Sequence, residues 1–231
     1  ISDIANASTA NVPDSVLLRD SAFRITTGGV SSPFTRKLNE RDGLWVSPRD
    51  FGAAANGVTD DRQIILDALT VALTETAPWG KRPTVLLDGN YVSEDWISVP
   101  SGITLAGRHR AHDRLHVVTT GRTRPSVELL EGDVHIHDLE IMADDTGTIV
   151  PVGGSGDRGT CITVSTFKSV GAPPAFAENI VLERLLLTRR PTTRRAHGIA
   201  LMGGASGITL SDIVIDGGPV GHNHGILMHW S

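Results

Sequence analysis

Rings are scarce in this sequence: one Tyr, five Phe and four Trp in 231 residues. With 39% hydrophobic residues and 25 Gly beside them, that scarcity argues against a ring-rich pocket or a helix bundle and for stacked aliphatics interrupted by many turns. Cysteine is almost absent. A lone Cys161 excludes an internal disulfide, so burial and hydrogen bonding must hold the fold in any redox compartment. No run approaches the roughly 18 consecutive apolar residues of a membrane span, and no basic segment followed by an apolar one marks a signal peptide. A basic excess is also missing: the formal charge is -5, which gives no general attraction to nucleic acid or to an anionic membrane. Neither partner is expected.

The length fits one domain with a short arm. Residues 1–44 carry scattered turn formers and short apolar pairs such as Leu17-Leu18 and Phe23-Arg24-Ile25, too little to bury independently. The chain opens on Ile1 and stops at His229-Trp230-Ser231, directly after an apolar strand pattern, so further sequence is expected at both ends. Residues 45–231 are then the N-terminal part of a longer solenoid domain.

Within residues 45–107, Val46 to Phe51 reads as a strand. Asp60 with Gln63 has capping-box spacing, and two carboxylates there suit a helix start. Ile65, Ala68, Leu69, Ala72 and Leu73 recur at three and four residues, which predicts an amphipathic helix over 60–76, ended by Pro78 and Gly80. The stretch from Pro83 to Gly107 alternates β-branched residues with turn signals at Asp88-Gly89-Asn90 and Pro100-Ser101-Gly102, so it predicts short strands in series.

The combination of Asp50-Phe51-Gly52-Ala53, Asn56-Gly57-Val58-Thr59-Asp60-Asp61, Gly89-Asn90-Tyr91-Val92 and Val99-Pro100-Ser101-Gly102-Ile103 resembles the N-terminal capping motif of the pectate-lyase-like superfamily. That family includes phage tailspikes and polysaccharide depolymerases. The resemblance covers about a third of the chain, with Asp88 standing where the family often has Pro. It implies an all-β right-handed parallel β-helix whose N-terminal end is plugged by a capping α-helix, and it is silent on chemistry, since the motif is a cap. Residues 11–29 also resemble the small β modules near the virion-proximal ends of phage fibres and spikes, which makes 1–44 a candidate virion-attachment arm.

Repeats give an independent line. Val134, Ile136, Leu139 and Ile141 recur in phase as Ile180, Leu182, Leu185 and Leu187, then as Ile208, Leu210, Ile213 and Ile215. A second series runs Ile162 and Val164, Ile199 and Leu201, Ile226 and Met228. The last steps are 28 and 27 residues, one solenoid turn. The longer steps of 46 and 37 residues place insertions around Asp144 to Gly159 and Lys168 to Glu178. Alternation puts these aliphatics inside and leaves His135, His137, Glu183, Thr209 and Ser211 facing out.

Candidate chemistry is sparse. His197-Gly198-Ile199 and His224-Gly225-Ile226 lie one turn apart, so the two imidazoles are expected to stack as a ladder. The phrase around His224 resembles the Gly-His-Gly turn of polygalacturonase-type glycosidases, which would make His224 an orienting residue, although the rest of that signature is missing. Glycoside hydrolysis needs two carboxylates roughly 5–9.5 Å apart. The candidates are Asp144 with Asp145, and Asp212 with Asp216, the latter two also reading as turn residues that bind their own backbone. Arg189, Arg190, Arg194 and Arg195 flank a Pro-Thr-Thr loop and suit the acidic groups of a glycan, with His197 and the terminal Trp230 as further glycan contacts. Trp45 is another ring that suits a sugar face. His222 and His224 share a strand face, but His229 falls an odd step away, so no metal site and no cofactor are expected.

The function expected is a phage or phage-like spike or fibre subunit, a homotrimer located on the virion or otherwise secreted, held to other virion proteins through 1–44 and binding host surface polysaccharide. The alternatives are a polysaccharide lyase or glycoside hydrolase of the same fold, and a structural solenoid linking arm to tip.

Overall fold

A computed structural model of the chain describes residues 22–25, 34–37, 45–74, 84–119, 125–145, 160–164, 177–190, 197–202, 204–217 and 224–228. Two short strands, β1 (Ala22–Ile25) and β2 (Phe34–Lys37), pair antiparallel. From Trp45 onward the chain winds as a right-handed parallel β-helix with three sheets. The first sheet holds β3 (Trp45–Val46), β5 (Thr84–Leu86), β8 (Thr104–Ala106), β11 (His135–His137), β14 (Ala177–Glu183) and β17 (Ala205–Ser211). The second holds β4 (Asn56–Asp60), β6 (Asn90–Ser93), β9 (Arg114–Thr119), β12 (Glu140–Asp145), β15 (Leu186–Arg189) and β18 (Val214–Asp216). The third holds β7 (Ile97–Ser98), β10 (Val127–Leu129), β13 (Ile162–Val164), β16 (His197–Leu201) and β19 (His224–Met228). After the first, each turn of the chain contributes one strand to each sheet, so neighbours in space are one turn apart in sequence.

The register matches the repeat read from sequence. Ile136 pairs with Leu182 and Leu182 with Leu210; Ile162 pairs with Ile199 and Ile199 with Ile226. These aliphatics stack inside the tube, and Ile136, Ile141, Ile162, Leu182, Leu187 and Ile199 are fully buried, each side chain stabilising the fold by about 1.5–3 kcal/mol. The longer insertion ranges fall mainly outside the described residues, but Asp144, Asp145, Ala177 and Glu178 belong to β12 and β14, so the strands run further than expected.

The N-terminal end departs from expectation in two places. Val46 to Phe51 is not one strand: β3 stops after Val46, and Pro48–Phe51 forms a 3-10 turn. Ser47 starts that turn, because its Oγ accepts from Arg49 N at 3.2 Å while Asp50 Oδ2 accepts from Ser47 N at 3.3 Å, and Pro48 needs no hydrogen bond there. The helix α1 is Arg62–Thr74 and buries Ile65, Ala68, Leu69, Val71 and Ala72 against the first turns. Its expected capping box does not form. Asp60 ends β4 and its Oδ1 accepts from Arg62 N, the first amide of the helix, at 3.0 Å, but Gln63 Nε2 donates to Asp67 Oδ1 at 3.0 Å, and Asp61 turns back to accept from Ala54 N and Ala55 N at 2.8 and 2.9 Å. Asp61 is thereby spent on the turn before the helix, where Ala55 sits at φ 45°. The helix occupies the position of a third-sheet strand in the first turn.

Corners between sheets use left-handed residues that recur turn by turn. Asp133 and Asn179 (φ 57° and 56°) precede the inward residues of the first sheet, joined by Asn179 Nδ2 donating to Asp133 Oδ1 at 3.2 Å. Asp138, Arg184 and Asp212 (φ 55°, 49° and 50°) turn the chain from the first sheet to the second. Asp and Asn tolerate this region better than most residues.

Candidate functional site

The second sheet carries the densest polar constellation on its outer side. Leu115, Val117, Ile141, Ala143 and Leu187 face inward, so Arg114, His116, Glu140, Asp144 and Thr188 face out. Arg114 Nε donates to Glu140 Oε2 at 2.7 Å, and Thr188 Oγ1 donates to Glu140 Oε1 at 2.7 Å, which joins three consecutive turns through one carboxylate. Further along the same strands, His116 Nε2 lies 3.1 Å from Asp144 Oδ2 and Arg190 Nε lies 3.3 Å from that same oxygen. Asp144 Oδ1 is buried and, among the described residues, has no hydrogen-bond partner.

In both pairs the acid lies beneath and the guanidinium reaches out. Side-chain exposure is 41% for Arg114 against 7% for Glu140, and 58% for Arg190 against 2% for Asp144. Asp88 repeats the arrangement nearer the N-terminal end, where it receives Arg49 and Arg108 at 3.5 and 3.1 Å. Connection 107–113, between β8 and β9, is braced by Asp113, whose Oδ2 accepts from Arg108 N and His109 N. From it Arg110 reaches across the corner to Asp212, contacting its carbonyl at 2.7 Å and its carboxylate at 3.1 Å. A chain of net charge -5 therefore shows a strip of arginines here, their counter-charges mostly withdrawn from solvent.

The first sheet carries a second charged network. His135 Nε2 lies 3.4 Å from Glu183 Oε1, the His135 and His137 rings are 4.5 Å apart, and His137 Nδ1 lies 2.7 Å from Asp138 Oδ2. Arg184 holds Asp138 through two hydrogen bonds at 2.7 and 2.8 Å and Glu183 through a 2.6 Å contact. The hydrogen bonds from Arg184 pull the Asp138 carboxyl down to about 2, and those bonds in turn raise the guanidinium. Burial, then the neighbouring His137, lowers the pKa of His135.

The residues singled out from sequence are scattered over this frame. Asp144 is on the outer face of β12; Asp145 follows it in the strand, its side chain outside the described residues. Asp212 occupies a corner, as a turn residue should, but its carboxylate meets Arg110 and not its own backbone. Asp216 is the last residue of β18, in register with Thr188, and residues 218–223 that follow lie outside the described residues. Arg189 ends β15 with its side chain buried, donating from Nε to Gly217 O at 2.8 Å; burial lowers its pKa, and it is removed from any exposed basic loop. Arg190 lies at the surface, while Arg194, Arg195 and Trp230 lie outside the described residues. His197 and His224 are register partners, as the repeat predicts; His197 is buried, and the His224 side chain lies outside the described residues. Trp45 is half exposed at the N-terminal edge of the first sheet. Among the described residues no group of three His, Cys, Asp or Glu side chains is placed to hold a metal ion.

The repeat reading missed Arg114, His116 and Glu140. Leu115 and Val117 continue the inward phase one turn before Ile141 and Ala143, so extending the repeat backwards would have placed Arg114 and His116 outside, beside Glu140 and Asp144.

No protein-family model matches this chain, and no curated protein matches it. Solved structures similar to it include the A-module of mannuronan C-5 epimerase AlgE4 from Azotobacter vinelandii, at 16% identity and a TM-score of 0.49, covering 80% of this chain and 53% of that one. Another is ORF18 of Geobacillus virus E2, at 12% identity and a TM-score of 0.40, covering 81% of this chain and 48% of that one. A third is PfbA, a surface adhesin of Streptococcus pneumoniae, at 12% identity and a TM-score of 0.33, covering 74% and 60%. The chain thus spans about half the length of the first two.

Proposed function

We propose that this β-helix belongs to a spike or fibre subunit of a phage or phage-like particle and binds host surface polysaccharide along the outer face of its second sheet. The observation that carries the binding reading is the strip of outward guanidiniums, Arg108, Arg114 and Arg190, over buried or half-buried Asp88, Glu140 and Asp144. Each arginine is held by the acid below, which lowers the entropic cost of presenting it. Arg114 opens β9 and Arg190 lies just past the end of β15, so the two guanidiniums sit at opposite ends of the strands, and an extended glycan crossing the face obliquely is the ligand form that would reach both. In this reading residues 1–44 attach to other virion proteins and three copies assemble. The test is incubation of the full chain with purified capsular polysaccharide and lipopolysaccharide, following binding by calorimetry and oligomeric state by light scattering. Saturable binding by a trimer supports the proposal; a monomer that binds neither preparation sinks it.

A depolymerase of the same fold is the second reading, favoured by one specific feature. His116 and the buried Asp144 form a close imidazole–carboxylate pair on the strip, which is the arrangement a general acid or base needs. New reducing ends or unsaturated products in the same incubation would establish it, and their loss in His116→Gln would place the chemistry there.

A further inference from the structure

Two histidines on the first sheet have their ring nitrogens sorted by the charges around them. Arg184 donates from Nε to Asp138 Oδ1 at 2.7 Å and from a terminal nitrogen to Oδ2 at 2.8 Å, so Asp138 is a carboxylate and can only accept. His137 Nδ1, 2.7 Å from Asp138 Oδ2, therefore carries the proton of the neutral imidazole, and Nε2 keeps a lone pair. His135 is arranged the other way round. Its Nε2 is enclosed and faces Glu183 Oε1 at 3.4 Å, and Arg184 meets that same oxygen at 2.6 Å, so Glu183 is also a carboxylate and the His135 lone pair falls on Nδ1. Neither lone pair meets a donor among the described residues. Of the two rings only His135 Nε2 is an enclosed atom without a hydrogen bond, so both lone pairs are open to solvent, on side chains 36% and 23% exposed. The two residues are next but one on β11 and leave the same face, with Thr104 and Ala106 beside them on β8 and Val181 and Glu183 on β14.

Neutral imidazoles that are steadied through one nitrogen by a carboxylate and present the other are arranged as histidines are when they ligate a metal ion. A metal–nitrogen bond of about 2.0–2.1 Å puts each ring centroid about 3.2 Å from a shared ion, so two rings subtending about 90–110° there have centroids about 4.5–5.3 Å apart. The His135 and His137 centroids are 4.5 Å apart. We infer that His135 Nδ1 and His137 Nε2 chelate one divalent cation of the class that prefers imidazole, Ni²⁺, Cu²⁺ or Zn²⁺, on the outer face of the first sheet. No third His, Cys, Asp or Glu completes the set among the described residues, so water holds the remaining positions and the site is an open one. Asp138 and Glu183 stay with Arg184 as positioning residues. With both imidazoles neutral, two carboxylates stand against one guanidinium, and the surplus negative charge favours a cation. The other close pair, His109 and His112, lacks this sorting: His109 Nδ1 accepts from Ala111 N at 3.1 Å, so its proton sits on the nitrogen a metal would need. The inference stands apart from the glycan reading, which concerns the second sheet.

The experiment titrates the full chain with Cu²⁺, Ni²⁺, Zn²⁺ and Mg²⁺ by calorimetry, comparing wild type with His135→Gln, His137→Gln, Asp138→Asn and, as a control, His109→Gln. Cu²⁺ should bind most tightly, Ni²⁺ and Zn²⁺ more weakly, and Mg²⁺ not measurably, because it demands oxygen ligands. Each of His135→Gln and His137→Gln should weaken Cu²⁺ binding by about tenfold or more, and Asp138→Asn by about 10–100-fold through loss of the orienting charge. Asparagine tolerates the φ of 55° at that corner, so the backbone should survive the last change. His109→Gln should bind as wild type does. A readout that needs no variant to fold is the wild-type NMR spectrum, in which substoichiometric Cu²⁺ should broaden the ring signals of His135 and His137 before those of the other histidines. Absence of binding by all three imidazole-preferring ions overturns the inference. So does an affinity unchanged in both His135→Gln and His137→Gln, or broadening that starts at other histidines. Mg²⁺ binding as tight as Zn²⁺ binding would equally overturn it, and wild-type affinity in Asp138→Asn would overturn the tautomer argument on which it stands.

Discussion

Two glycines in identical His-Gly-Ile sequences should respond differently to the same substitution. A Cβ on Gly198 would lie 2.6 Å from Gly225 O and 2.7 and 2.8 Å from two carbons of Ile215, all inside contact distance. One obstacle is backbone in a paired strand, and the other is an inward side chain stacked on Leu187, so neither yields cheaply. A Cβ on Gly225 would meet only Ile215 Cδ1, at an ordinary 3.6 Å. Neither glycine has a positive φ, so alanine is not strained by backbone geometry at either site. Gly198→Ala is therefore an overpacking change that costs about 1–3 kcal/mol. Gly225→Ala should be neutral or gain up to about 1 kcal/mol from the stiffer unfolded chain. For a chain of this size the first corresponds to a Tm lowered by about 2–12 °C, and the second to little change or a slight rise. Urea denaturation with unchanged slope measures both. Equal losses, or a larger loss in Gly225→Ala, would refute the packing argument.

Asp61→Ala should cost about 2–3 kcal/mol in denaturant unfolding, because it strips the acceptors from two amides at a buried turn; Asp60→Ala, on exposed β4, should cost less. Asp138 has a folded pKa of about 2 against an ordinary 3.8, so the stability it contributes is present above pH about 4 and is lost as pH falls towards 2. Arg184→Gln should raise that pKa and flatten the loss, read by carboxyl NMR titration with matched acid unfolding curves. His135 has the opposite protonation preference to a paired histidine: its lowered pKa means the neutral form is favoured, so its contribution is full above about 6.5 and declines on acidification, a decline His135→Gln should remove. Burial pushes the Cys161 thiol up to about 12, so a water-soluble thiol reagent at pH 8 should react only at the rate of unfolding; prompt labelling of the native chain would contradict its place in the core.

The architecture was legible because a solenoid repeats its requirements. Every turn must supply inward aliphatics in one phase, so Leu182 predicts Leu210 at 28 residues and Ile199 predicts Ile226 at 27, and the register follows. Capping chemistry was harder, because the same local signal served two competing uses. Asp60 and Asp61 read as helix-start carboxylates, yet Asp61 is consumed by the amides of Ala54 and Ala55, a contact that sequence spacing does not reveal. Outer-face chemistry was the least legible. Nothing near Asp144 in sequence announces His116 or Arg190, 28 and 46 residues away, and only the strand register brings them to one carboxylate oxygen. The His-Gly-Ile repeat drew attention for its histidines, while the structure supplies a packing reason for its glycine at position 198. Arg189 and Arg190 show the same limit: adjacent in sequence and equal in charge, they end on opposite sides of the sheet surface.

The most direct test of the account compares surface-polysaccharide binding by the wild-type chain with that of an Arg114→Gln, Arg190→Gln double variant, at low and at moderate salt. Both substitutions are on exposed side chains, so folding should survive, as a melting curve can verify. Wild type should bind saturably and with salt sensitivity, and the double variant should lose tenfold or more, with Thr209→Ala, a control on the first sheet, unaffected. Undiminished binding by the double variant would contradict the assignment of the second sheet's outer face as the glycan-binding surface.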